Sequence, residues 1–293
     1  MSKAFETINA RAAHVREILS APVISPAARI ELIIMLSRAV SYHKSGKIEG
    51  LFSLDVACRN CEFCMKMQES KDPSVICTLC YTQSMREVAK AAHAITGEIL
   101  SKLELTDDEA AAVAIPAGMF RFNSDGELIN LTHALNLLRI AATHKMTSFA
   151  IWTKRPAILD AAVKKYGKPD NLIVGVSSPI INEPFSGNWT WCDFIFTVYT
   201  PGRIAAAIAA GSRECNGKKC LACGFKCYKE RRTKAGPVHV AEVLRKPQAM
   251  KKNEFSDLCA RIDAATGGRD YTPETPANAA YMDNDPARLI IRK

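Results

Sequence analysis

Apolar residues in the first part of the chain recur every three to four positions. In KAFETINARAAHVREILS and PAARIELIIMLSRAV this spacing predicts amphipathic helices over 3–20 and 26–44. Pro22 and Pro26 punctuate the pair, and Ser25 is a candidate N-cap. A cysteine-rich stretch follows. The helical spacing then resumes over 83–104, and Thr106-Asp107-Asp108-Glu109 carries the signature of a capping box opening one more short helix.

From 115 onward the rhythm changes. Short apolar runs predict strands at 117–124, 148–154, 171–178 and 193–200, and 237–245 adds a last one. Helical patterns at 131–145, 155–167 and 203–211 separate them, the last two ending at Gly167 and Gly211. The strands are continuous apolar runs rather than alternations, which predicts a sheet covered by helices on both faces. Strand–helix repetition of this kind implies parallel βα units. The units are too few for a complete eight-fold barrel, so the fold class is α/β, a partial (βα) barrel or an open sheet. The chain divides into an N-terminal helical segment over 1–50, a βα core over 51–245 and a polar, Pro-rich tail over 246–293, expected to be loosely structured.

Composition sharpens the picture. With 293 residues and 48% hydrophobic content the chain can bury a full-size core. The N-terminal segment is charged throughout and lacks the apolar run of a signal peptide. No window reaches the roughly 18 apolar residues of a membrane span. A cytoplasmic location without membrane insertion is expected, and disulfides are rare there. Eleven cysteines are odd in number and clustered, which suits ligation better than complete disulfide pairing. A formal net charge of +9 permits an RNA or DNA partner. Two of the three short basic runs, Lys218-Lys219 and Lys229-Glu230-Arg231-Arg232, flank the second cysteine cluster, and the third is Lys251-Lys252. Cationic side chains spread over a solvated surface account for the same charge.

The cysteines form two knots. In the first, Cys61-x2-Cys64 and Cys77-x2-Cys80 lie twelve residues apart, a spacing that suits a Zn(Cys)4 site and leaves Cys58 unexplained. In the second, Cys215-x4-Cys220-x2-Cys223-x3-Cys227 resembles the loops that wrap iron–sulfur clusters, although zinc can use four such thiolates too. Cys192 and Cys259 stand alone and read as small buried hydrophobes.

MFRFNSDGELINLTHALNLLRIAATHKMTSFAIWTKRP, NLIVGVSSPIIN, ICTLCY and CNGKKCLACGFKCY together resemble the phage and anaerobe family grouped around gene product eighty-eight, over roughly residues 64 to 230. FAIWTKRP also resembles a segment of a second phage family with a radical-SAM-like barrel. The resemblance implies that Cys64, Cys77 and Cys80 are the essential first set, with Cys58 and Cys61 as additions, and that Cys215, Cys220, Cys223 and Cys227 form the second. Three thiolates on a 4Fe–4S cubane leave one iron open, and an open iron can chelate S-adenosylmethionine (SAM). In the usual radical-SAM signature the first gap is three residues; here it is twelve. A fourth ligand from Cys58 or Cys61 would close the cluster and make it structural.

In a βα barrel, ligands bind at the carboxyl ends of the strands. Those ends carry Ser124, Asp125, Glu127, Lys154 and Ser177 as candidate cofactor-binding residues. Asp125 or Glu127 can accept ribose hydroxyls, and Lys154 with Arg155 can bind an anionic group. Any one of them is also explained as an ordinary polar loop residue. His133 and Trp152 sit in apolar stretches and read as core. No P-loop, GxGxxG, HExxH or Ser–His–Asp pattern is present. The resulting expectation is a radical-SAM-like iron–sulfur enzyme with one or two 4Fe–4S clusters and a reductant such as ferredoxin or flavodoxin. Two alternatives stand beside it: a zinc-stabilised nucleic-acid-binding protein of phage or mobile-element origin, and a redox module without SAM chemistry.

Overall fold

The computed structural model describes residues 3–266, apart from 81, 83, 84, 186, 188, 216, 218, 224, 225, 230, 231 and 248. The fold is mixed α/β with mostly parallel strand pairing. It comprises two compact units whose segments interleave along the chain. The first takes the described residues of Met1–Met65, Thr82–Ile151 and Ile158–Leu172; the second takes those of Lys66–Tyr81, Trp152–Ala157 and Ile173–Lys293.

The chain opens with helices α1 (Lys3–Ser20) and α2 (Pro26–Ala39). Ser25 caps α2 by accepting from Ala28 N at 3.3 Å, and Pro26 occupies the first turn, where its missing N–H costs nothing. Two short strands follow, β1 (Ser41–Tyr42) and β2 (Phe52–Leu54), neither of them expected from the apolar pattern. Beyond them lie α3 (Glu62–Gln68), α4 (Glu87–Lys102) and α5 (Asp107–Ala112). The capping box of α5 forms as its sequence predicts: Thr106 Oγ1 accepts from Glu109 N, and Glu109 Oε2 accepts from Thr106 N.

β3 (Gly118–Phe122), α6 (Leu131–Thr143), β4 (Thr147–Thr153) and α7 (Pro156–Tyr166) follow the expected order. In the first unit the strands run β1-β2-β3-β4, with β1 antiparallel to β2 and the rest parallel. Phe120, Phe122 and Phe149 fill its centre, with Phe122 stacked on Phe149 at 4.7 Å between ring centroids. Buried Asn136 of α6 bonds Leu100 O, Leu103 O and Leu105 N, so it satisfies the orphan carbonyls at the end of α4.

The second unit contains β5 (Leu172–Ser177), β6 (Phe194–Tyr199), α8 (Ile204–Ala209), β7 (Arg213–Cys215), α9 (Lys226–Lys229), β8 (Val238–Val243) and α10 (Lys252–Thr266). Its strands pair in parallel in the order β5-β6-β8-β7. Every residue of β5 is buried, as expected of a strand covered on both faces. Residues 252–266, expected within a loose polar tail, instead form α10. Leu258 and Ile262 on one face of α10 are buried with Ile181 and Leu244. The remainder of the tail, from 267 on, lies outside the described residues.

Candidate metal centre and its polar surround

The thiols of the first knot are presented directly after β2. Phe52, Ser53 and Leu54 pair with Phe120, Arg121 and Phe122 of β3, so the carboxyl ends of the two strands lie side by side. The chain leaves β2 through Asp55 and Val56 and turns at once into a 3-10 turn, Cys58–Asn60. Cys61 and Cys64 follow, the latter inside α3, and both are buried. Hydrogen bonds with Cys58 and Cys61, and then burial, hold the Cys64 thiol well above its ordinary range. Cys58 Sγ meets Thr82 Oγ1 at 3.3 Å, and Cys61 Sγ donates to Leu128 O at 3.5 Å. The Cys58-x2-Cys61-x2-Cys64 set is thus gathered at one place, although the family resemblance had pointed to Cys64 with Cys77 and Cys80.

Polar groups surround this turn. Asp55, nearly fully buried, accepts from Ser53 Oγ at 2.5 Å, from Ser124 Oγ at 2.7 Å and from Asp125 N at 3.1 Å. His43 Nε2 lies 2.7 Å from Ser53 Oγ, and since that hydroxyl donates to Asp55, its oxygen accepts from the imidazole. Burial lowers His43 below the ordinary histidine range. His93 of α4 places Nδ1 2.7 Å from Asp125 Oδ2. Burial opposes the charge on His93, but the bond to Asp125 and the charges of Asp55 and Asp125 outweigh it, so its affinity for a proton is raised. Burial also raises Asp125, against the pull of His93. Cys58 is within electrostatic reach of both groups. Gly126 closes the arrangement with a φ of 82°, where a Cβ would overlap the Val56 carbonyl.

Of the candidate cofactor residues, Ser124 and Asp125 belong to this cluster. Glu127 is buried beside it, with Oε1 accepting from Leu128 N. Sequence reading missed His43, Ser53, Asp55 and His93. One signal was available: the polar Asp55 stands between the apolar end of a strand and Cys58.

Lys154 and Ser177 belong to the second unit, at the carboxyl ends of β4 and β5. Cys77 and Cys80 are there too, on and just after a 3-10 turn, Ile76–Leu79. That turn is tied to the chain leaving β5: Ile76 N donates to Pro179 O and Ile181 N to Ser74 O. In the second knot, Cys215 ends β7, Cys223 Sγ donates to Cys220 O at 3.2 Å, and Cys227 lies on α9. All four of these cysteines are half-buried. Arg232 Nη1 bonds Trp189 O at 2.7 Å, so this basic residue already holds a loop; Glu230 and Arg231 lie outside the described residues. Cys192 is buried as expected, and Cys259 packs against the apolar cluster of α10.

None of the eleven cysteines is in a disulfide. Among the described residues, no three His, Cys, Asp or Glu side chains are set to hold a single metal ion. A cubane makes a different demand, because its thiolates bind separate irons. The Cys58–Cys64 turn fits that donor chemistry, with three soft ligands converging in a largely buried turn.

A family model described as Gene product 88 matches residues 36–186, just over half of the chain. The chain belongs to that family. The match covers β2, the first knot and the Asp55–Asp125 cluster, and it stops short of the second knot. No curated protein and no solved structure matches the chain. Among the described residues, no helix is long and apolar enough to cross a membrane.

Proposed function

We propose that this Gene product 88 protein is an iron–sulfur protein of radical-SAM-like type, built on a partial βα barrel. The observation that carries the reading is the convergence of Cys58, Cys61 and Cys64 at the carboxyl end of a parallel strand. Ligands of α/β proteins collect at such ends. These three thiolates would hold the first cluster. Cys215, Cys220, Cys223 and Cys227 would hold an auxiliary one. When bound, a 4Fe–4S cluster with three thiolates offers an open iron to the amino and carboxylate groups of SAM and an electron, supplied by a low-potential donor, to its sulfonium.

The chain's own residues would prepare that chemistry. Asn60 and Gly97 fix the thiol turn on α4, so the ligands are held before a cluster arrives. Burial of Cys61 and Cys64 keeps water from two of the three sulfurs. His93 and Asp125 hold a proton beside the site, and Ser124 is oriented by Asp55.

The test is anaerobic purification followed by absorbance spectroscopy and counts of iron, sulfide and zinc. Two cubanes give a brown protein with about eight irons per chain. SAM should then perturb the paramagnetic resonance of one reduced cluster. Cys61→Ala should abolish that cluster, whereas Cys77→Ala should spare it; the reverse result would restore Cys64, Cys77 and Cys80 as the ligand set. A colourless protein with two zinc ions would overturn the reading in favour of a zinc-stabilised fold, whose nucleic-acid affinity should fall steeply with salt.

A further inference from the structure

The turn after β3 carries polar groups that the protein does not satisfy. Asn123 is 4% exposed and sits at a φ of 49°, and neither Oδ1 nor Nδ2 of its side chain has a hydrogen-bond partner. Two residues on, Asp125 is 5% exposed; Oδ2 is taken by His93, while Oδ1 has no partner. Leaving a buried polar group unmet forfeits its hydration with nothing in return. Three such atoms within three residues call for an occupant.

We propose that the Asn123–Asp125 turn, with His93 beside it, is a binding site for the cis-diol of a ribose ring. The orphaned atoms define the ligand. Asp125 Oδ1 and Asn123 Oδ1 need donors, and Asn123 Nδ2 needs an acceptor. Two adjacent hydroxyls supply all three: one donates to Asp125, and the other donates to and accepts from the Asn123 amide. An anion is disfavoured by the buried carboxylates of Asp55 and Asp125. A single metal ion is disfavoured because no three donors are set for one among the described residues. An apolar ligand would leave the same atoms unmet. Ordered water is the competing occupant.

This site deepens the reading above, resting on the same strand-end placement that offers Asp125 to ribose hydroxyls, and its test needs no cluster. Adenosine, guanosine, cytidine and uridine, each beside its 2′-deoxy counterpart, are titrated into the full chain by ligand-observed NMR and calorimetry. At least one ribonucleoside should bind, and its 2′-deoxy form should bind about tenfold or more weakly, as expected when a buried polar partner is lost. Asn123→Gly, which keeps the left-handed backbone accessible, should bring the ribonucleoside down to the deoxy level. Binding of no ribonucleoside, equal binding of the two forms, or an unchanged Asn123→Gly variant would overturn the proposal and leave water as the occupant. Should Asn123→Gly fail to fold, the deoxy comparison on the unaltered protein still decides. Iron is counted on the same sample, so a failed diol site and a failed cluster are told apart.

Discussion

Asn60 and Gly97 meet where the thiol turn rests on helix α4. Asn60 Nδ2 donates to Ala94 O at 3.1 Å, and a Cβ on Gly97 would lie 2.7 Å from Asn60 Oδ1. The glycine is therefore a packing requirement in the middle of a helix, where glycine is otherwise unfavourable. Its absence of a side chain lets the backbone that carries Cys58 and Cys61 approach α4 closely.

Gly97→Ala pits two effects against each other. The helix gains about 1 kcal/mol in propensity. Overpacking against Asn60 costs about 1–3 kcal/mol, because Asn60 is held by its bond to Ala94 and cannot simply move aside. The net expectation is a loss of about 1 kcal/mol in urea unfolding, with reduced occupancy of the cluster proposed for the first knot. A variant more stable than the parent would show that Asn60 moves freely.

Arg29 and Glu109 form a second linkage in the first unit. The guanidinium donates to both carboxylate oxygens, at 2.5 and 2.6 Å, and to Glu104 O at 2.8 Å. Glu109 also completes the capping box on Thr106. The Arg29 hydrogen bond, aided by Thr106, holds the Glu109 carboxyl below the ordinary carboxylate range. A group depressed on folding stabilises above its unfolded pKa and loses that contribution as pH falls through the folded value. Glu109→Ala should cost about 1–3 kcal/mol at neutral pH, and that cost should shrink in acid. A cost that does not change between pH 7 and pH 3 would show that the charge is not what matters.

His133 is the histidine that sequence reading assigned to the core, and it is fully buried. Nδ1 accepts from Ile129 N at 3.2 Å, and burial pulls its pKa down to about 3. The folded protein therefore keeps it neutral, while the unfolded chain protonates it near 6.5. Stability is complete above the unfolded value and is lost as pH falls from there toward 3, by up to a few kcal/mol. His133→Gln should flatten this part of the stability–pH curve in chemical denaturation. An unchanged slope would mean that other groups carry it.

Much of the βα order was legible because apolar runs and caps report local structure directly. Thr106 and Ser25 act as the caps that their residue types predict. β2 was not legible: three residues bounded by polar neighbours give no period, and only pairing with β3 makes them a strand. Without β2, the first knot had no strand to follow, and the reading of Cys58 and Cys61 as additions came from the family resemblance alone. His93 was hidden for a different reason: it lies 32 residues from Asp125 in sequence, and only the fold brings them to 2.7 Å. In α10 the period was present in Phe255, Leu258 and Ile262, but the surrounding Pro-rich composition masked it.

The docking of α10 makes a last prediction. Asp263 Oδ1 accepts from Thr200 Oγ1 at 2.6 Å and from Asn182 Nδ2 at 3.0 Å, while Asn182 Oδ1 accepts from Thr200 N at 2.8 Å. Asn182 also donates to Thr266 Oγ1, so two turns of the helix are tied to the loops leaving β5 and β6. One oxygen serves both bonds to Asp263, which separates the need for an acceptor from the need for a charge. Asp263→Ala removes the acceptor and strands two donors, and should cost about 1–3 kcal/mol. Asp263→Asn keeps a carbonyl oxygen there and should cost distinctly less. Hydrogen exchange at the amides of α10 is the sharpest readout, since loosening this helix should raise exchange there before the strands respond. If Asn proves as damaging as Ala, the negative charge holds the helix, through the guanidinium of Arg203 at 3.9 Å, and the hydrogen-bond account of α10 fails.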